Sequence, residues 1–151
     1  MRKRKQRLTE SFLAADLVAV AIAWVAAYYA RFHSTVFTTL VPPYKGVPYF
    51  SDYAKLLPLL IALAAVIFAL QGLYRLRRPL SAVDDGLRVA GAFIVTAALA
   101  LGITLYVRIY FRFAPEVAPR AEYSQGVFAL FVLFGIPLVL VARRLLLAWF
   151  E

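Results

Sequence analysis

Four apolar stretches, residues 12–32, 54–74, 89–108 and 126–147, take up most of this chain of 151 residues. A hydrocarbon core about 30 Å thick needs roughly 20 helical residues to cross it, and each stretch is close to that length. Inside hydrocarbon every backbone N–H and C=O must be paired within the segment, so stretches of this kind fold as helices. The expected fold class is all-α, a polytopic bundle of four transmembrane helices. Residues 1–151 read as a single transmembrane domain, because the connecting segments are too short to hold a soluble or catalytic domain.

Composition supports this reading and removes several alternatives. Hydrophobic residues make up 64% of the chain, well above the roughly 45–50% apolar usage of soluble domains. The net charge of +9 fits Lys and Arg flanking membrane spans and meeting anionic headgroups. Nothing resembles a nucleic-acid-binding module, so nucleic acid is not expected as a partner. The chain has no cysteine, which excludes disulfides, zinc–thiolate sites, iron–sulfur clusters and thiol catalysis. The basic start followed by an apolar run has the outline of a signal peptide. The run, however, exceeds the roughly 7–15 residues of a signal-peptide core and ends in Tyr28, Tyr29, Arg31 and Phe32, which marks a retained first span.

Basic residues set the expected orientation. Arg2, Lys3, Arg4, Lys5 and Arg7 precede the first span, Arg75, Arg77, Arg78 and Arg88 lie between spans two and three, and Arg143 and Arg144 close the fourth. By the positive-inside rule these sites are cytoplasmic, so both termini are expected inside. Aromatic residues gather at the opposite boundary, at Tyr28, Tyr29 and Phe32, then Tyr49, Phe50 and Tyr53, then Tyr106, Tyr110, Phe111 and Phe113. Amphipathic rings favour that headgroup level.

Local signals then place the breaks. Pro42, Pro43, Gly46 and Pro48 keep the first outer loop from regular helix. Pro58 implies a bend or a separate turn near the start of the second span. Ser81-Ala82-Val83-Asp84 has the spacing of a capping box, with Ser81 as N-cap and Asp84 and Asp85 in the first turn of the third helix. Gly135 and Pro137 imply a kink in the fourth.

Asp16 is the one acidic side chain within an apolar stretch. Helical periodicity puts it on one face with Ala19, Ala23, Ala27 and Ala30, and small residues let membrane helices approach closely. Asp16 is therefore expected to face protein and to form a structural ion pair with Arg75, Arg88, Arg143 or Arg144. A proton relay would need a second intramembrane acid or histidine, and none accompanies it. His33, the sole histidine, lacks neighbours with metal-ligand spacing and reads as a solvated loop residue, so no metal site is expected. Gln71 and Gly72 read as interhelical polar contact and close approach, or as the start of a turn. Ala98 and Gly102, with Gly91, read as a helix-packing face, and small-residue faces of this kind also suit a homo-oligomer. No phosphate-binding glycine loop, nucleophile elbow or paired intramembrane carboxylate is present.

The order of these marks resembles the N-terminal four-helix membrane region of bacterial polyprenyl-phosphate sugar-1-phosphate transferases, the phosphoglycosyl transferases that initiate exopolysaccharide, capsule or O-antigen assembly. The matching residues are Asp16, Tyr29-Ala30-Arg31-Phe32, Gly72-Leu73-Tyr74-Arg75, Ser81 with its acidic turn, Glu122-Tyr123-Ser124, and Arg143 with Arg144. Gln125 stands where that family commonly carries an arginine. The likeness implies a membrane-anchoring and positioning domain in a bacterial inner membrane. It also implies that the catalytic domain, with its Asp-Glu nucleophile pair and magnesium site, lies beyond Glu151. This chain by itself is then expected to hold no cofactor and no catalytic residue. Membrane lipids, and polyprenyl phosphate among them, are the expected partners. Arg75, Arg77, Arg78, Arg143 and Arg144 are the candidate headgroup contacts. The membrane region of nucleotide-sugar dehydratases or epimerases has a similar four-span layout. A small four-helix transporter or lipid-linked-sugar flippase is the alternative from another class.

Overall fold

A computed structural model of the chain describes residues 2–44, 46–74, 82–111 and 123–150. Its helices are α1 (Arg2–His33), α2 (Thr35–Leu40), α3 (Phe50–Ala54), α4 (Leu57–Leu70), α5 (Ala82–Phe111) and α6 (Gln125–Phe150). No strand occurs among the described residues. Four segments are long and apolar enough to cross a bilayer: Arg7–His33, Phe50–Leu70, Val83–Ile109 and Gln125–Trp149. The protein is thus an all-helical, multi-pass membrane protein.

The second segment shows how local chemistry sets its limits. A proline ring clashes with the carbonyl four residues before it, and Pro58 places that clash at Ala54, where α3 ends. A turn at Lys55 and Leu56 follows, and Pro58 then sits in the first turn of α4, where an N–H is dispensable. At the other end the apolar run continues to Tyr74, yet the helix stops at Leu70. Gly72 adopts a left-handed φ of 72°, the Gly72 N–H bonds to the Ala69 carbonyl and the Leu73 N–H to the Phe68 carbonyl. This is a Schellman closure. Gly72 is the helix stop, and the span runs about one turn earlier than hydropathy places it.

Neighbouring helices alternate in direction. Asp16 lies beside Arg143 and Trp24 beside Phe128 and Phe131, so α1 and α6 are antiparallel. The same logic pairs α5 with α6 through Asp85–Arg143 and Phe93–Phe131. Helix α1 packs most extensively on α6, and α4 bridges α1 and α5, so the four spans close into a ring in chain order.

Lipid tails are as apolar as these side chains, so the helices associate through packing rather than through escape from water. The alanine face does this work on α1: Ala19, Ala23 and Ala27 are buried. At the centre Trp24 meets Phe128 at 5.1 Å and Phe131 at 5.7 Å between ring centroids, and Phe93 meets Phe68 at 5.4 Å and Phe131 at 5.3 Å. Gly135 makes room for this cluster: a Cβ there would lie 2.1 Å from Phe93 Cε1. Helix α6 runs through Pro137 as one element, and Gly135 leaves in it a hole for a ring.

The packing face expected on the third span is elsewhere. Ala98 and Gly102 are exposed, and nothing lies within 4 Å of a Cβ placed at Gly102. Helix α5 instead buries Val89, Ala92, Phe93, Thr96, Ala97 and Ala100. Phe93 decides the rotation, because only that face meets the opening at Gly135.

Candidate functional site: a charged clasp at one end of the bundle

Asp16, Tyr74, Asp85 and Arg143 converge at one end of the ring, each from a different membrane-spanning unit. Asp16 is fully buried on α1, and Arg143, on α6, is 6% exposed. The guanidinium donates from Nη2 to Asp16 Oδ2 at 2.6 Å and from Nε to Oδ1 at 3.1 Å. Its remaining nitrogen, Nη1, donates to Asp85 Oδ1 at 3.2 Å. Tyr74, carried back by the turn at Gly72, donates its hydroxyl to Asp16 Oδ2 at 3.0 Å. The planar guanidinium has its carbon 5.8 Å from the Phe12 ring centroid and 5.9 Å from that of Tyr74.

The residue types follow from the geometry. A two-point grip on a carboxylate needs the fixed fork of arginine, which an ammonium does not offer. Asp85 stands in the first turn of α5, where the helix dipole favours a negative charge. Burial, and next the neighbouring Asp16 carboxylate, push the Tyr74 phenol above its ordinary range, so it stays protonated as a donor. No buried side-chain nitrogen or oxygen among the described residues lacks a hydrogen-bond partner. A desolvated pair is tolerable on those terms.

Both Asp16 oxygens thus accept hydrogen bonds within the bundle. Among the described residues there is no group of three His, Asp or Glu able to hold a metal ion. The arrangement ties α1, the turn after α4, α5 and α6 into one unit. Its chemistry is that of a fastening.

Tyrosines hold the opposite end. Trp24 Nε1 donates to the Tyr53 carbonyl at 2.9 Å, and the Tyr28 hydroxyl to the Pro48 carbonyl at 2.6 Å. The Ser124 N–H donates to the Tyr53 hydroxyl at 2.8 Å, and the Tyr123 hydroxyl to the Asp52 carbonyl at 3.1 Å. Arg31 donates to the Val41 carbonyl at 2.8 Å and pins the loop that follows α2. His33 is exposed and stacks loosely on Tyr28 and Tyr29.

Of the four arginines named as partners for Asp16, the structure joins Arg143 to it. Arg143 therefore points inward, with each of its three nitrogens bonded to a carboxylate. Arg144, next to it on α6, is exposed, as is Arg88 on α5. Arg75, Arg77, Arg78 and Ser81 lie outside the described residues. Tyr74 and Asp85 were not among the expected partners of the ion pair. The signal for Tyr74 was the glycine two residues before it, which reverses the chain.

Comparison with family models, with curated proteins and with solved structures returned no match.

Proposed function

We propose that this bundle anchors and positions a polyprenyl-phosphate sugar-1-phosphate transferase at the inner face of a bacterial plasma membrane, with both helix ends Arg2 and Phe150 on the cytoplasmic side. The support is the order of sequence marks together with one structural observation. The buried polar side chains Asp16, Arg31, Thr96 and Arg143 are each engaged by hydrogen bonds within the chain. A transporter or flippase needs polar groups free to line a path near the midplane. Here Asp16, Arg31 and Arg143 fasten helix ends, Thr96 bonds back to the Ala92 carbonyl of its own helix, and the buried centre among the described residues is otherwise aromatic and aliphatic, which favours an anchor.

The test is capture from native membranes through an N-terminal tag. The captured material is assayed for transfer of sugar 1-phosphate from a nucleotide diphosphate sugar to polyprenyl phosphate. The expected result is transferase activity in the captured material and none in the purified 151-residue chain. Captured material without such activity, or solute or lipid flux through proteoliposomes holding this chain alone, overturns the reading.

A further inference from the structure

The segment that joins the first two spans turns apolar side chains outward. Val36, Leu40, Val41, Tyr44, Val47 and Tyr49 are all exposed, Leu40 by 72% and Tyr44 by 91%. Lys45 is the one charged residue in the sequence from Ser34 to Tyr49. Apolar exposure that is continuous along a segment marks an interaction surface, whereas scattered single residues do not. We propose that α2, Val41 and Val47 lie in the lipid headgroup layer at the tyrosine end of the bundle, with Val36, Leu40 and Val47 turned toward the acyl chains. The inference is independent of the transferase reading above.

Two hydrogen bonds set the depth. The first span, Arg7–His33, has 27 residues, about 40 Å of helix at 1.5 Å each, which matches a bilayer together with its headgroup layers, about 40–45 Å. His33 therefore stands near the aqueous edge of the headgroups. Arg31, which holds the Val41 carbonyl, is about 3 Å deeper along α1, and Tyr28, which holds the Pro48 carbonyl, about 8 Å deeper. The segment is thus tied back along α1 and does not project from its end. Phe50, where the second span begins, agrees: its ring centroid lies 5.1 Å from that of Tyr28 and 5.6 Å from that of Tyr29. Interfacial helices bury their apolar face about 5–10 Å into the headgroup and acyl boundary, a depth that these anchors reach.

Helix α2 suits that place. Phe37 packs against the bundle core. Of the exposed residues, Val36 and Leu40 share one flank and Thr35 and Thr39 the other, because residues four apart on a helix lie on one face. The Thr38 and Thr39 hydroxyls donate to the Ser34 and Thr35 carbonyls of the same turn, so neither depends on water for a partner. With 6 residues α2 is about 9 Å long, too short a seat for a spanning helix of a second copy, and lipid is the cover that the surface fits.

The chain has no cysteine, so a single introduced cysteine carries a nitroxide label without background. The whole chain is labelled in turn at Val36→Cys, Thr39→Cys, Leu40→Cys and Val47→Cys, and at Leu99→Cys on the exposed side of α5 near its middle. Each variant is reconstituted in phosphatidylcholine vesicles, and circular dichroism checks that it folds. Power saturation then compares collision with oxygen, which concentrates in lipid, and with a nickel chelate, which stays in water. The ratio of oxygen to nickel access should be higher at Val36→Cys, Leu40→Cys and Val47→Cys than at Thr39→Cys, and highest at Leu99→Cys. A ratio at Leu40→Cys and Val47→Cys no higher than at Thr39→Cys places the segment in water and overturns the proposal. Spectral broadening at Leu40→Cys that disappears on dilution with unlabelled chain shows a second copy covering the surface, and overturns it as well.

Discussion

Arg143 and Asp16, 127 residues apart in the chain, meet through two parallel hydrogen bonds of 2.6 and 3.1 Å in a site closed to solvent. The pair closes the ring by holding the last helix on the first. Its strength comes from mutual satisfaction: each group is costly to bury alone, and each is the other's remedy.

Removing one member should therefore be worse than removing both. Asp16→Asn leaves a guanidinium buried against a neutral amide, and loss of one partner of a buried pair costs about 3 to 5 kcal/mol. Arg143→Lys keeps the charge but loses the fork, and should fall between Asp16→Asn and the unaltered protein. Asp16→Leu with Arg143→Met should be more stable than Asp16→Leu alone. Thermal unfolding in one detergent orders the four variants and the unaltered protein. An unaltered melting temperature in Asp16→Asn would mean the pair fastens nothing.

Tyr74 adds a dependence on alkaline pH. Its phenol is raised above the ordinary 10.0 by burial and by the Asp16 carboxylate. A raised value favours the protonated form in the fold, so its contribution is complete below about pH 10, where the unfolded phenol titrates. It is lost as pH rises toward the folded value. At neutral pH Tyr74→Phe should be less stable by about 1.5 kcal/mol, the low end for a hydrogen bond to a charged group, because Tyr74 is only partly buried. Above pH 10 the two proteins should converge. A constant difference from pH 7 to 11 would show that the hydroxyl does not serve Asp16.

Gly135 and Phe93 give the third expectation. A methyl at Gly135 would meet ring atoms at 2.1, 2.6 and 2.7 Å, a contact that forces the ring or the helix to move. Overpacking of this kind costs about 1 to 3 kcal/mol. Gly135→Ala should lower the melting temperature, and Phe93→Leu in the same chain should restore part of it by shortening the side chain that fills the hole. Additive losses in the double variant would place the two residues out of contact.

The elements differ in how far residues alone expose them. The four spans are readable because length and hydropathy are sufficient for crossing a bilayer, and the burial of Asp16 follows from its alanine stripe. The partner of Asp16 was not readable: the sequence offers four arginines for it, and the choice depends on the rotation of α6, which Trp24, Phe128 and Phe131 set through packing. The Ala98–Gly102 pair misleads for the same reason. Spacing marks a surface on which helices are able to approach, but the opening at Gly135 on a different helix turns Phe93 inward and leaves that surface outside. Trp24 shows the same limit: a buried indole N–H needs an acceptor, which the residues alone do not name. That the acceptor is the Tyr53 carbonyl depends on Pro58 ending α3 close by.

Gly72 supplies the last expectation, with Gly102 as its control. At Gly72 the backbone is left-handed, with φ 72°, a conformation that costs an L residue about 1 to 2 kcal/mol. The same turn delivers the Tyr74 hydroxyl to Asp16, so straightening it would remove a hydrogen bond of the clasp as well as the helix stop. At Gly102 the backbone is helical and a Cβ meets nothing within 4 Å, so alanine gains helix propensity of about 0.5 to 1 kcal/mol at no steric cost. Gly72→Ala should melt lower than the unaltered protein and Gly102→Ala at the same temperature or higher. The two effects are separable from a general response to glycine loss by their signs. If Gly102→Ala is the more damaging, the exposed face of α5 is covered by a contact that the isolated bundle does not contain.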